Sequence, residues 1–179
     1  MNIKIDGQEF NLDPSVVKAM LRLTENTRKD GRERGFNLCK LDSGITVPGP
    51  ICKGDECHVT LKGCYVKDDK NGHYIGRQVG SFHTHPEDLP ANWGDLFGAV
   101  KQGINAKRRY GGSYEYLECI GTPDSGIKCS ALKEVSPDFA LGLRAEYILG
   151  LTNDEDEKLL ESYFTDIVHI PIEELKNQV

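Results

Sequence analysis

Apolar positions recur along this chain in two rhythms, every second residue over short runs and every third or fourth over longer ones. Ile3-Lys-Ile5, the pair Asp6-Gly7, then Phe10 and Leu12 predict a hairpin, since Asp-Gly accepts the positive φ of a tight turn. Asp13 and Pro14 supply the N-cap and first position of a helix. Val16, Val17, Met20, Leu21 and Thr24 share one face of it, which predicts packing on a sheet, and Lys29-Asp-Gly-Arg32 breaks it. Strands follow at Phe36–Leu41, Ile45–Val47, Val59–Leu61 and Cys64–Val66, divided by turn residues such as Asp42-Ser-Gly and Pro48-Gly-Pro. A longer strand runs from Tyr74 to His85, with Val79, Ser81, His83 and His85 on one face.

Beyond it, Asn92 to Gln102 has helical spacing. Trp93, Leu96, Phe97 and Val100 form the apolar stripe, and Asp95 falls on the opposite side with Ala99 and Gln102. Lys107-Arg-Arg109 and Tyr110-Gly-Gly read as a basic, flexible connection. Tyr114–Ile120 and Ile127–Leu132 make a hairpin; Ser136-Pro137 can start a helix, and Arg144–Leu151 can equally be a strand. Asn153 and the acids Asp154 to Glu157 start a closing helix that runs to about residue 170. Leu159, Leu160, Tyr163, Phe164, Ile167 and Val168 are its apolar face, His169 suits the negative end of its dipole, and Pro171 ends it.

At 179 residues, 38% hydrophobic and 28% charged, the chain is expected to form one globular domain. A net charge of −6 argues against general affinity for nucleic acid. Met1-Asn-Ile-Lys-Ile-Asp lacks the basic start and apolar core of a signal peptide, and no apolar run reaches bilayer-spanning length. The expected address is cytoplasmic, without membrane association. Six cysteines are unusual there. Cys52 and Cys57, like Cys119 and Cys129, would face each other if each segment is a hairpin, close enough for a disulfide. A second zinc site and free core thiols stay open beside that pairing.

The chemistry lies in Gly80-Ser-Phe-His-Thr-His-Pro-Glu-Asp-Leu-Pro-Ala-Asn-Trp-Gly-Asp95. Alternation along a strand points His83 and His85 the same way, so their imidazoles can meet at one ion. Pro86, without an amide proton, stops the strand. Asn92 then caps a helix whose first turn carries Asp95 back. Two imidazoles and one carboxylate leave a coordination position open, the pattern of a catalytic zinc site. Taken singly, each half has an ordinary reading, a pair of surface histidines and an acid at a helix start; joined by a short connection they read as a metal site.

This arrangement resembles the His-x-His-Pro…Ser-x-x-Asp signature of the JAMM/MPN+ zinc metalloproteases, which remove ubiquitin-like modifiers. The resemblance implies an α+β fold over residues 1–179: a single JAMM/MPN-like domain, with a curved mixed β-sheet flanked by helices. Zn2+ would be held by His83, His85 and Asp95 at the end of a central strand. It also implies that Glu33, in Arg32-Glu-Arg-Gly-Phe-Asn-Leu38, is the general base, and that position 92 helps to stabilise the tetrahedral intermediate. Asn92 stands where the family has serine; its amide can cap a helix or donate to an oxyanion. From the residues alone, Glu33 is one charge in the mixed run Arg28 to Arg34, and Glu56 is the other candidate base.

The implied activity is hydrolysis of an isopeptide or peptide bond at the C-terminus of a ubiquitin-like protein or its conjugate. No nucleic-acid or membrane partner is expected, and the oligomeric state is open. Two alternatives stand beside it. One is a catalytically silent MPN-type scaffold. The other is a related hydrolase acting on a sulfur-carrier precursor, a peptidoglycan peptide or in DNA repair, the last least suited to an acidic chain. Residues 44–58 and 103–113 would set specificity.

Overall fold

β8 (Arg77–Thr84) is the strand on which the remainder is assembled. The computed structural model describes residues 1–55, 63–68, 72–89, 91–112, 114–134, 138, 142, 150 and 154–179. Val79 to Thr84 are all buried, as a strand covered on both faces must be. On one side β8 pairs antiparallel with β3 (Arg34–Lys40), setting Phe36 opposite Phe82 and Asn37 opposite Ser81. On the other it pairs parallel with β9 (Leu117–Thr122), setting Ser81 opposite Glu118 and Phe82 opposite Cys119. A parallel step needs a crossover, and helix α2 (Trp93–Tyr110) supplies it. β10 (Gly126–Ala131) and β11 (Val168–Ile170) extend the sheet beyond β9, while β4 (Thr46–Pro48) and β5 (Cys52–Lys53) pair with β3 at its other edge. The architecture is α+β with a mixed sheet.

Helix α1 (Pro14–Asp30) has the expected start, with the Asp13 carboxylate accepting from Ser15 N–H at 2.9 Å, and ends at Gly31, whose φ of 72° suits glycine. Val16, Val17, Met20 and Leu23 bury against Phe36, Leu38, Val79, Phe82, Leu117 and Cys119. The hairpin of β1 (Asn2–Ile5) and β2 (Gln8–Asn11) adds Ile3, Ile5 and Phe10 to that core, turning at Asp6 and Gly7, both of positive φ. A separate hairpin, β6 (Tyr65–Asp68) and β7 (Gly72–Ile75), is tied to β3 by a Cys39–Cys64 disulfide. Among the described residues no helix is long and apolar enough to cross a membrane.

Several expectations are corrected. The strand expected from Tyr74 to His85 is divided at Gly76 between β7 and β8. α2 does not stop at Gln102 but runs to Tyr110, so Lys107-Arg-Arg109 is its last turn, favourable to the dipole, not a flexible connection. Gly103, inside the helix, is a packing residue: a Cβ there would lie 2.3 Å from Leu132 Cδ2. The closing helix is not continuous to residue 170. Helix α3 (Asp154–Glu161) ends early, and the chain then joins the sheet, Thr165 N–H donating to Ala131 O at 2.9 Å before β11 pairs with β10. The open backbone edge of β10 outcompetes further helix, leaving Ile167 exposed but burying Phe164 and Ile170. His169 therefore sits in β11, its ring against the Ser125 carbonyl, and Pro171 caps a short helix α4 (Ile172–Asn177).

Cys119 and Cys129 are joined across β9 and β10 as expected. The Cys52–Cys57 pairing is not made: Cys52 is a buried free thiol, and Cys39 bonds Cys64 instead. Cys57, Glu56, the strand Val59–Leu61 and the start at Ser136-Pro137 lie outside the described residues, as does Arg144–Leu151 apart from Gly150.

Candidate metal centre

His83 and His85 leave β8 on the face covered by α2. Although His85 is past the last β8 residue, its N–H donates to Gly121 O at 2.9 Å, so the pairing with β9 carries on and keeps it in the alternation. Both rings are buried, 7% and 4% exposed. Their Nε2 atoms face one another at 3.1 Å. Asp95 closes the group: Oδ1 lies 3.2 Å from His83 Nε2 and Oδ2 3.3 Å from His85 Nε2. One ligand atom from each of the three falls within 4.8 Å of the others, so His83, His85 and Asp95 form a set that could hold a metal ion.

Both imidazoles are also gripped from behind. His85 Nδ1 is 3.0 Å from Leu89 O, and His83 Nδ1 is 3.4 Å from Glu118 Oε1. An acceptor at Nδ1 keeps the proton there and aims the Nε2 lone pair inward, which is how metal-binding histidines are held. Two inward lone pairs 3.1 Å apart repel unless a cation or proton lies between them. The donor set therefore fits a divalent metal in both chemistry and tautomer.

Asp95 reaches this point against the expectation from its helical spacing. Its side chain is only 19% exposed and Ala99 is buried. Leu96, Ala99, Val100 and Ile104 pack as one cluster with Tyr116, Leu132 and Leu160, so the inward face of α2 is centred nearer Ala99 than the stripe through Phe97 suggested. Asp95 lies on the same side of the helix as Ala99, one turn earlier. Asn92 takes the N-cap: its Oδ1 accepts from Asp95 N–H and Asp95 Oδ2 accepts from Asn92 N–H, both at 2.9 Å. This reciprocal cap sets the rotamer of the carboxylate as well as starting the helix. Asn92 itself is exposed and borders the group instead of joining it.

Glu33 is not part of a solvated loop. It is 5% exposed, with Oε1 3.9 Å from His85 Nε2. Its backbone is clamped by β5's continuation, Glu33 N–H donating to Asp55 O at 2.6 Å and Gly54 N–H to Glu33 O at 2.8 Å. Next to it Arg34, also buried, binds Asp30 through Nη1 at 2.7 Å and Nη2 at 2.5 Å and the Arg32 carbonyl at 2.9 Å, fixing the end of α1 to the start of β3. Of the charges between Arg28 and Arg34, Asp30 and Arg34 thus form a clamp beside Glu33, while Arg28 pairs on the surface with Glu25.

Burial raises the Glu33 pKa, and the neighbouring His85 and His83 pull it back only in part. For His83 burial opposes protonation, yet hydrogen bonds to Asp95 and Glu118 prevail and lift its pKa to about 10. His85 moves up in the same sense. Asp95, though buried, is held well below the usual carboxylate range by the two histidines. A proton and a metal ion therefore compete for the same Nε2 atoms.

The sequence reading missed Glu118. The signal was available: a lone acid in the apolar run Leu117-Glu-Cys-Ile of a strand whose two faces are both covered. No protein-family model matches this chain, and no curated protein matches it.

Proposed function

We propose that this chain is a zinc-dependent metallopeptidase of JAMM/MPN type, hydrolysing an isopeptide or peptide bond at the C-terminus of a ubiquitin-like modifier. The observation that carries the reading is the convergence of His83 Nε2, His85 Nε2 and the Asp95 carboxylate on one point, with buried Glu33 beside it. The order of those residues matches the signature that the sequence resembles, and folding brings them together from separate elements. His83, His85 and Asp95 would hold the zinc. When bound there, zinc supplies Lewis-acid chemistry, polarising a carbonyl and bringing the pKa of water towards neutrality.

The chain's own groups then have defined tasks. Glu33 accepts a proton from the attacking water as its oxygen bonds to the carbonyl carbon, and returns that proton to the nitrogen as the C–N bond breaks. Its raised pKa suits an acceptor that must also give the proton back. Asn92 borders the group from the N-cap of α2, where its amide can donate to the developing oxyanion. A lysine ε-amine as the leaving nitrogen makes the substrate an isopeptide; a main-chain amine makes it a linear fusion. The cytoplasmic address belongs to this proposal too.

A second reading, a zinc-holding scaffold that cleaves nothing, draws on one observation: the Asn92 side chain already serves as the helix cap through Oδ1. Assaying a panel of ubiquitin-like fusions and isopeptide conjugates with the wild type and Glu33→Gln separates the two. Cleavage by the wild type alone, abolished by a chelator and restored by zinc, is the expected result. Zinc bound stoichiometrically with no substrate cleaved by either protein selects the scaffold.

A further inference from the structure

β9 places one carboxylate in a strand whose other residues are all uncharged. All six of its residues are buried, and Glu118 is 4% exposed. Such burial is costly unless the charge is met by donors. Here the donors form a line. Gln78 Nε2 donates to Tyr116 Oη at 3.3 Å, Tyr116 Oη–H to Ser81 Oγ at 3.3 Å, and Ser81 Oγ–H to Glu118 Oε2 at 2.5 Å. Gln78 Nε2 also donates to Asn37 Oδ1 at 3.2 Å. An amide nitrogen can only donate and each hydroxyl has one proton, so the direction of the line is set. From Gln78 through Tyr116 and Ser81, each proton of the line points towards Glu118. Burial and the Glu118 charge push the Tyr116 hydroxyl above its ordinary range, which keeps it a donor.

With Oε2 satisfied from that side, Oε1 is left facing His83 Nδ1 at 3.4 Å. The strand register makes this possible, since Asn37, Ser81 and Glu118 form one row across β3, β8 and β9, and His83 stands two residues beyond Ser81 on the same face. A purely structural carboxylate would need its donors but not an imidazole that presents its other nitrogen to Asp95. The line starts at half-buried Gln78 and ends on a candidate metal ligand.

We propose that Glu118 is a positioning residue of the metal centre. Held by Ser81, Tyr116 and Gln78, it fixes the His83 ring and its Nδ1–H tautomer so that Nε2 is presented to the ion. The inference rests on the metallopeptidase reading above only as far as the metal goes, and needs no particular substrate. Removing the carboxylate acceptor behind a ligating histidine typically lowers metal affinity about 10–100-fold.

The test is zinc affinity, measured by competition with a chromogenic chelator, for the full chain and for Glu118→Gln, Ser81→Ala and Tyr116→Phe, alongside thermal melts with and without zinc. Glu118→Gln should bind zinc about 10–100-fold more weakly, with Ser81→Ala between it and the wild type. In nitrogen-15 spectra of the zinc-loaded wild type, His83 should carry a slowly exchanging Nδ1–H; Glu118→Ala should lose that protection. A merely structural role would lower the melting temperature equally with and without zinc and leave affinity and the Nδ1–H signal in place. That result overturns the proposal while the metal centre stands. Failure of the wild type itself to bind zinc overturns both. If Glu118→Gln does not fold, Ser81→Ala and Tyr116→Phe decide, and wild-type affinity in both overturns the role given to Glu118.

Discussion

The two faces of the central sheet are built from the same three strands and do opposite things. Towards α1, the row Phe36, Phe82, Cys119 is apolar, buried and continuous with Val16, Val17 and Met20. Towards α2, the adjacent row is Asn37, Ser81, Glu118, with His83 beside it and Asp95 descending from the helix. Side chains alternate with period two, so a shift of one residue in register would exchange core for chemistry. Apolar burial on the α1 face supplies the stability that lets the other face hold buried charges close together.

That contrast predicts separable damage. The largest effect is expected from Asp95→Ala: it removes a ligand and half of the α2 cap, so zinc should no longer be retained through dialysis and cleavage should vanish. A variant that keeps stoichiometric zinc would show that Asp95 is a cap and nothing more. Glu33→Gln should retain zinc yet lose activity by about 10²–10⁴-fold, the usual contribution of a general base; an unchanged rate in a steady-state assay would assign the proton transfer elsewhere. On the opposite face, Phe82→Ala should cost about 3–5 kcal/mol of stability, read from the denaturant midpoint. Phe82 is fully buried against Phe36, with centroids 5.2 Å apart. Zinc affinity of the folded fraction should be unaltered, and a large change in it would break the proposed separation of the faces.

Reduction of the disulfides should cost about 3 kcal/mol for each bridge on loop-entropy grounds. Cys39–Cys64 should show it first as loss of protection in hydrogen exchange where β6–β7 is tied to β3. The smallest effect is a slope. His83 has its pKa raised from 6.5 to about 10 when no metal is bound, so in that form its protonation stabilises the fold fully below pH 6.5 and the benefit is lost as pH rises through about 10. Zinc must displace that proton. Its apparent affinity should therefore rise with pH between those values, by up to about tenfold per unit for each proton displaced. Calorimetry in buffers of different ionisation enthalpy counts the protons released, and a count of zero contradicts the raised pKa.

Much of this site was legible beforehand because its parts are local. His-x-His followed by proline is a statement about strand alternation and its end, and Asn92-x-x-Asp95 is a statement about one helical turn. Glu33 came from the resemblance, since nothing local marks it out among the charges that surround it. The face of α2 was misjudged because Trp93 and Phe97 drew the apolar stripe away from Ala99, a small residue whose burial depends on how closely the helix approaches the sheet. The closing helix was overextended because helical spacing from Leu159 to Val168 competes with a strand edge distant in sequence, where Thr165 bonds Ala131 and Val168 pairs with Cys129.

The order of residues alone determined the elements that close on themselves: the β1–β2 turn, both caps of α1, the capping box at Asn92 and the outward step at Pro86. Only the tertiary structure decided which cysteine meets Cys39, that Glu118 stands behind His83, and that Glu33 lies beside His85. Those depend on the register between strands distant in sequence, where the favourable energy comes from partners that no local pattern can name.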